Sequence, residues 1–199
     1  KKYQAILSYL EEFRSQLTPK PVDWKGENWS GRKPGQYKWY EIQDVIDYHE
    51  EFNQFKIILP EIALRMQATY DNGKHFSGDT TYIIPIDDKY LLGIMNSNLF
   101  HFYFSKISSS IRGGYLRFKR QYLETVPIVE SLENKEKLVQ YVDIILQLNK
   151  DLENTNLTSQ KDQIRGKINH YDNKINELVY QNYGLTEEEI GIVEAGIKS

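Results

Sequence analysis

Apolar residues in the last third of the chain recur at alternating steps of three and four positions, and this spacing constrains the fold most. The two runs are Leu138, Tyr141, Ile145, Leu148 and Leu152, then Ile164, Ile168, Tyr171, Ile175 and Leu178. Each run places its apolar side chains along one stripe of a helix. A polar stretch at 154–156 separates them. The pattern predicts an antiparallel helical hairpin with coiled-coil spacing over residues 131–199.

The residues before this tail carry strand signals. Phe55–Pro60 and Thr80–Ile86 are rich in β-branched residues and end at or near proline. Ala63–Tyr70 predicts a further strand, and Val126–Ile128 predicts an edge strand, where proline is tolerated. Helical spacing predicts an amphipathic helix over residues 1–17 and a short helix over Glu41–Tyr48.

Lys89–Ile107 is apolar on nearly every side, which predicts a buried core helix. Asp87 and Asp88 precede it and supply acceptors for its first N–H groups. Together these predictions give an α+β fold. A small mixed β-sheet recognition domain with a core helix covers residues 1–130, and the helical hairpin covers residues 131–199.

The stretch from Ser105 to Leu123 contains five basic residues and no acidic residue, interleaved with aromatic residues and two adjacent glycines. A glycine-hinged, basic and aromatic loop is typical of a nucleic-acid contact. A solvated basic loop explains the composition equally well. The candidate DNA-binding residues here are Arg112, Tyr115, Arg117, Lys119 and Arg120.

Two other loops carry weaker signals of the same kind. Between about 24 and 38, Arg32 and Lys33 are flanked by Gly31 and Pro34 within a run of tryptophans and tyrosines. Aromatic rings can stack on bases while cations pair with phosphates. In the loop at 71–80, Lys74 and Ser77 offer donors for phosphates or base edges. These four cationic or hydroxyl side chains complete the set of candidates.

Net charge argues mildly against nucleic acid, because the chain carries −3. Its distribution softens the objection. Residues 1–129 contain 17 lysines and arginines against 15 acidic residues, whereas residues 130–199 contain 8 against 13. A local basic surface can bind phosphates on a protein that is acidic overall, so the two parts are expected to do different work.

Several classes of protein are disfavoured. The chain has no cysteine, which excludes disulfides and thiolate metal sites. No signal peptide or membrane span is visible, so a cytoplasmic location is expected. The first residue is lysine and only two methionines occur, which indicates a fragment of a longer polypeptide. Glu133 and Lys135, with Asp87 far upstream, resemble part of a nuclease site, but Asp87 already has a helix-start explanation.

Several stretches match a known family in their order and spacing. They are Trp39–Ile42, Lys56–Ala63, Tyr90–Ser97, Arg112–Tyr115, Leu123–Ile128 and the tail stretches at 175–180 and 183–190. On these residues the chain resembles the TaqI-like C-terminal specificity domain. That domain is the target-recognition part of bacterial adenine-N6 DNA methyltransferases and of fused restriction-modification enzymes.

The resemblance implies sequence-specific binding of double-stranded DNA. A separate methyltransferase domain, expected before Lys1, would bind S-adenosylmethionine and flip the adenine. This chain lacks the Asn-Pro-Pro-Tyr tetrad that would hold the flipped base. It is therefore expected to bind no cofactor and to be no enzyme by itself. The hairpin would space or dock the methyltransferase or a nuclease domain. The alternatives are a helical protein-interaction module without DNA specificity, or a nuclease fragment.

Overall fold

The computed structural model describes residues 3–44, 47–130 and 133–197. The chain divides into two compact units, residues 1–49 and residues 50–199. The helical tail belongs to the second unit, together with the strands and the core helices. The predicted division into a recognition part and a spacer at residue 130 concerns function, and it stays a prediction.

The first unit begins with two short helices, α1 (Gln4–Glu11) and α2 (Arg14–Leu17). The single helix predicted over residues 1–17 is therefore wrong in its continuity. It is interrupted because the N–H groups of Glu12 and Phe13 bond to carbonyl oxygens three residues back. Such bonds tighten the backbone and end an α-helix.

A long loop follows these helices and is irregular apart from one parallel bridge between Pro19 and Arg32. A 3₁₀ helix then covers Asp47–Asn53. The helix predicted over Glu41–Tyr48 is wrong in position, since residues 41–44 are not helical. Residues 45–46 of that prediction lie outside the described residues.

The described part of the second unit contains six short strands. They are β1 (Phe55–Pro60), β2 (Ile62–Ala63), β3 (Thr69–Asn72), β4 (Thr81–Ile84), β5 (Ser110–Ile111) and β6 (Tyr115–Arg117). One antiparallel sheet has the order β3-β1-β4, and the other has the order β2-β6-β5. Ile57 and Leu59 of β1 point into the core and are almost fully buried.

The α+β class is confirmed, with three corrections to the strands. The strands form two antiparallel sheets instead of one mixed sheet. The strand predicted over Ala63–Tyr70 is wrong, because its two ends belong to different sheets as β2 and β3. Val126–Ile128 forms no strand. Instead, the hydroxyl of Tyr183 donates to the carbonyl of Pro127 at 2.8 Å, which fixes this segment against the tail.

The core helix predicted over Lys89–Ile107 is two helices, α3 (Lys89–Asn96) and α4 (Asn98–Ile107). Ser97 causes the break. Its buried hydroxyl donates to the carbonyl of Ile94 and accepts from the N–H of Phe100, so it ends one helix and caps the next. Both helices bury apolar residues, as predicted. The short helix α5 covers Arg120–Leu123.

The predicted hairpin is confirmed as α6 (Lys135–Asn154) and α7 (Thr158–Asn182), followed by α8 (Glu187–Gly196). It packs on α3 at Gly93. A Cβ atom there would lie 2.5 Å from Leu138 Cδ2 and 3.0 Å from Val142 Cγ2, so a larger residue would require these side chains to move. None of the described helices is both long and apolar enough to cross a bilayer.

Candidate nucleic-acid interface

The β5–β6 hairpin projects the basic stretch into solvent. Gly113 and Gly114 form its turn with φ angles of +91° and +79°, which side chains disfavour. Arg112 and Tyr115 flank these glycines and are exposed. The turn therefore requires two glycines and places a cation and an aromatic ring side by side at the tip.

Alternation along β6 decides which side chains face solvent. Leu116 and Phe118 are buried, and the ring of Phe118 stacks on Phe104 in the core. Tyr115 and Arg117 consequently lie on the other face of the sheet. Arg117 is paired with Ile62 of β2, whose side chain is 42% exposed. The outer face of this sheet combines a cation with exposed aromatic and aliphatic groups.

Glu61 brings two predicted loops together. Its N–H donates to the carbonyl of Thr80 at 2.9 Å, and its carbonyl accepts from the N–H of Phe118 at 2.8 Å. The end of the 71–80 loop thus lies beside the end of β6. Burial raises the pKa of Tyr82, the negative charge of Glu61 raises it further, and the Arg117 cation opposes the rise. These side chains form one cluster where the two sheets meet.

An open groove of about 900 Å³ lies between β4 and α5. It is lined by Leu59, Tyr82, Ile83, Ile84, Pro85, Lys119, Arg120, Gln121, Leu123 and Glu124. Lys119 is partly buried at the start of α5. Arg120 forms a 2.5 Å ion pair with Glu124 and is 89% exposed. Such exposed pairs are weak, so both cations remain able to meet a phosphate.

The two candidate residues in the 71–80 loop, Lys74 and Ser77, differ in whether their side chains are already hydrogen-bonded. Lys74 is exposed. The hydroxyl of Ser77 is already bonded, since it donates to the carbonyl of Thr81 at 2.7 Å and lies 2.6 Å from the Thr81 hydroxyl. Lys74 is therefore suited to contact a ligand, whereas Ser77 closes the loop.

Arg32, in the first unit, holds its own loop. Its guanidinium donates to the carbonyls of Leu17, Lys38, Trp39 and Glu41 at 2.7–3.2 Å. It also stacks on the ring of Tyr37 at 4.7 Å. Its donors are engaged within its own loop, which supports a structural role, and the DNA-binding role predicted for Arg32 stays a prediction. Lys33 pairs with Asp44 at 3.1 Å on the surface.

Sequence reasoning overlooked Tyr82, which lines the groove and is 37% exposed. It was hidden within a strand whose composition indicates burial. A signal was present in the alternation of that strand, since Tyr82 and Ile84 share one face and Thr81 and Ile83 the other. That alternation places a polar aromatic ring at the groove.

The residues of the alternative nuclease site have other contacts. The carboxylate of Asp87 accepts a hydrogen bond from Tyr70. The ammonium of Lys135 lies 5.6 Å from the ring centroid of Tyr90. Across residues 3–44, 47–130 and 133–197, the acidic and histidine side chains form no group of three suited to hold a metal ion.

Comparison with known proteins identifies the family. The model of the family described as TaqI-like C-terminal specificity domain matches residues 8–128. The Type II methyltransferase M.XhoI of Xanthomonas vasicola is 23% identical over 194 residues, which are 96% of this chain and 30% of that protein.

A solved structure of the Type IIL restriction-modification enzyme MmeI in complex with DNA shares the fold. The TM-score is 0.61 at 14% identity, over 97% of this chain and 26% of MmeI. The chain thus spans less than a third of either protein. Because the family model covers more than half of the sequence, this chain belongs to the family of TaqI-like C-terminal specificity domains.

Proposed function

We propose that this chain binds double-stranded DNA and selects the target sequence for a restriction-modification methyltransferase. The observation that carries the proposal is the surface of the second unit where Arg112, Tyr115, Arg117 and Lys119 lie together on two adjoining features, the hairpin and the groove. Family membership and the DNA held by the MmeI structure support it.

The roles follow from placement. Lys119 and Arg120 neutralise phosphates and set the position of the duplex, whereas Lys74 can donate to a guanine edge. Arg112 flanks the glycine turn, and Arg117 lies beyond it on the outer face of β6. Either can donate two hydrogen bonds to a guanine edge, an interaction worth about 1–3 kcal/mol of discrimination. Tyr115 adds a ring that packs on sugar or base.

The methyl-transfer chemistry belongs elsewhere in the parent protein under this proposal. A methyltransferase domain binds S-adenosylmethionine, which supplies the methyl group, and it receives the adenine that the specificity domain has located. The present chain contributes binding and register and is no enzyme by itself. A nuclease domain in the same parent protein is a further candidate neighbour.

The outer half of the hairpin favours a second, compatible role. Buried residues in α6 and α7 are confined to the half that packs on the core, at positions 138, 142, 175, 176 and 178–180. The turns between residues 143 and 174, with exposed Leu157 at their tip, contain no buried residue. We propose that this arm spaces or docks the methyltransferase or nuclease domain. A protein-interaction module without DNA specificity is the alternative.

Retention of a randomised duplex library at low and moderate salt tests the main proposal. Sequencing of the retained DNA is expected to give a motif, with affinity that falls steeply as salt rises. Salt-sensitive retention without a motif would contradict target selection by this chain and leave only an electrostatic docking surface for DNA. Absence of retention at both salt concentrations would contradict DNA binding and favour the interaction module.

A further inference from the structure

A lysine and an aspartate meet in the interior of the second unit, beneath the loop formed by residues 73–80. Lys56 of β1 and Asp71 of β3 are register partners, and their side chains are 0% and 4% exposed. The ammonium of Lys56 donates to the Asp71 carboxylate and, at 2.6 Å, to the carbonyl of Phe52. Neither residue can touch DNA from this position.

The other acceptor sites of the Asp71 carboxylate hold the beginning of the loop. One oxygen accepts the backbone N–H groups of Gly73, Lys74 and His75 at 3.0–3.3 Å. The other lies 2.5 Å from the ring nitrogen Nδ1 of His75. Burial alone would raise the pKa of Asp71, but hydrogen bonds from Lys56 and His75 outweigh it and hold the pKa well below its usual range.

The loop is constrained at both ends. At its start Gly73 has a φ of +84°, and a Cβ atom there would lie 2.4 Å from the carbonyl oxygen of Asn53. At its end Ser77 bonds to Thr81. Between these anchors the side chain of Lys74 is directed to solvent. The course of the backbone that presents Lys74 is therefore set by the buried carboxylate.

Stability is a poor explanation for this pair. Replacing a buried ion pair with apolar residues of similar volume is often neutral or stabilising, whereas removing one partner leaves an uncompensated charge. An apolar pair would fill the same space between the strands. The apolar pair would offer no acceptor to the three successive backbone N–H groups or to the imidazole of His75.

We propose that Lys56 and Asp71 are positioning residues, which fix the 73–80 loop so that Lys74 meets the duplex at one defined place. This inference rests on the proposed function, since it requires that the loop contacts DNA. Sequence preference then depends on a charge pair that DNA never touches.

The test uses the whole 199-residue chain with the double variant Lys56→Met/Asp71→Leu. The matched control is Lys89→Met/Asp143→Leu, which removes an ion pair that joins α3 to α6 at 2.6 Å. The readouts are hydrogen exchange at the amides of residues 73–75 and affinity for two duplexes. One duplex is that retained from a randomised library, and the other is a scrambled version of it.

The double variant is expected to lose protection at residues 73–75 and about tenfold in preference for the retained duplex, while affinity for the scrambled duplex stays within about twofold. Adding Lys74→Ala to the double variant should not lower its affinity for the retained duplex further, although Lys74→Ala in the wild-type chain does lower that affinity. The control should change neither readout. A merely structural role would instead reduce binding of both duplexes equally.

Unchanged preference after the loss of protection would overturn the positioning role, as would an equal effect of Lys74→Ala in both backgrounds. Failure of the wild-type chain to prefer any sequence would overturn the proposed function itself, which separates the two ideas. If the double variant does not fold, Lys56→Met/Asp71→Asn, which leaves no buried charge without its partner and keeps the shape of the aspartate, gives the same comparison.

Discussion

Two stretches of this chain both combine cations with aromatic rings and glycines, yet they use their cations in opposite ways. The loop at 20–44 and the stretch at 105–121 both mix arginines and lysines with aromatic rings and glycines. In the first, Arg32 binds four carbonyl oxygens of its own unit. In the second, Arg112 projects from a glycine turn into solvent. Composition therefore identifies basic loops but does not separate fixed cations from available ones.

The difference arises from the path of the backbone. In the first unit the chain bends around Arg32, so that four carbonyls converge on one guanidinium. The indole of Trp29 also donates to the carbonyl of Thr18 at 3.1 Å. In the second unit the carbonyls near the hairpin are already paired within the sheet. Among the described residues, Arg112 and Arg117 of the hairpin bind no such set of carbonyls, and Arg112 is exposed.

The largest expected effect is on the fixed cation. Arg32→Ala should lower the free energy of unfolding of the first unit by about 3 kcal/mol, because four partly buried carbonyls lose a charged donor. All three tryptophans lie at positions 24, 29 and 39. Chemical unfolding followed by tryptophan fluorescence therefore reports on this unit.

The neighbouring Lys33→Ala is the matched control and should change that free energy by no more than about 0.5 kcal/mol, since its ion pair is exposed. Equal effects of the two substitutions would contradict the distinction between fixed and available cations.

The next largest expected effect is on DNA affinity, where Arg117 and Lys119 are expected to act differently. Arg117→Ala should cost about 2 kcal/mol of binding on the selected duplex and much less on unrelated DNA, because alanine cannot donate to a base edge. Lys119→Ala should weaken the binding of all duplexes alike and reduce the slope of log affinity against log salt by about one. Fluorescence anisotropy titrations at several salt concentrations measure both. A uniform loss from Arg117→Ala would assign it to phosphate.

A smaller effect concerns the turn that carries the arginine. Gly114→Ala should destabilise the hairpin by about 1 kcal/mol, because its φ of +79° disfavours a side chain. Hydrogen exchange at the Gly114 amide, which donates to the Ile111 carbonyl at 3.1 Å, reports the opening. Gly78→Ala is the control, since that glycine has an ordinary φ and open space around it. Similar exchange in both variants would show that the turn tolerates side chains.

The smallest expected effect is a dependence of the free energy of unfolding of the second unit on pH. Burial lowers the pKa of His101 below its usual value of 6.5, and the Arg65 cation lowers it further. The unfolded chain therefore takes up a proton that the folded chain refuses, and stability falls as pH drops below about 6.5. His101→Gln should flatten this slope, measured by circular dichroism of unfolding between pH of about 5 and 7.5. An unchanged slope would exclude His101 as its source.

Long, regular signals were predictable from sequence. The two runs of apolar residues placed α6 and α7, and Asp88 marked the cap that begins α3. The bounds of β1 were also predicted. These features depend on residues close together in the chain, so that periodicity and capping chemistry suffice to place them.

Features that depend on distant partners were missed. The break at Ser97 depends on a hydroxyl buried between two helices. A serine within an apolar run does not by itself predict such a break. Arg32 resembled an exposed cation because its acceptors come from residues 17 and 38–41. Lys56 was overlooked inside an apolar strand because its partner Asp71 is 15 positions away. Each of these roles is set by tertiary contacts.

The most direct test of the account compares the salt dependence of duplex binding for two triple variants. One replaces Arg112, Arg117 and Lys119 with alanine, and the other replaces Lys25, Lys33 and Lys38. We predict that the first reduces the slope of log affinity against log salt by about 0.9 for each phosphate that is no longer neutralised, and that the second leaves it unchanged. A slope that falls in the second variant and not in the first would contradict the assignment of DNA binding to the hairpin and groove.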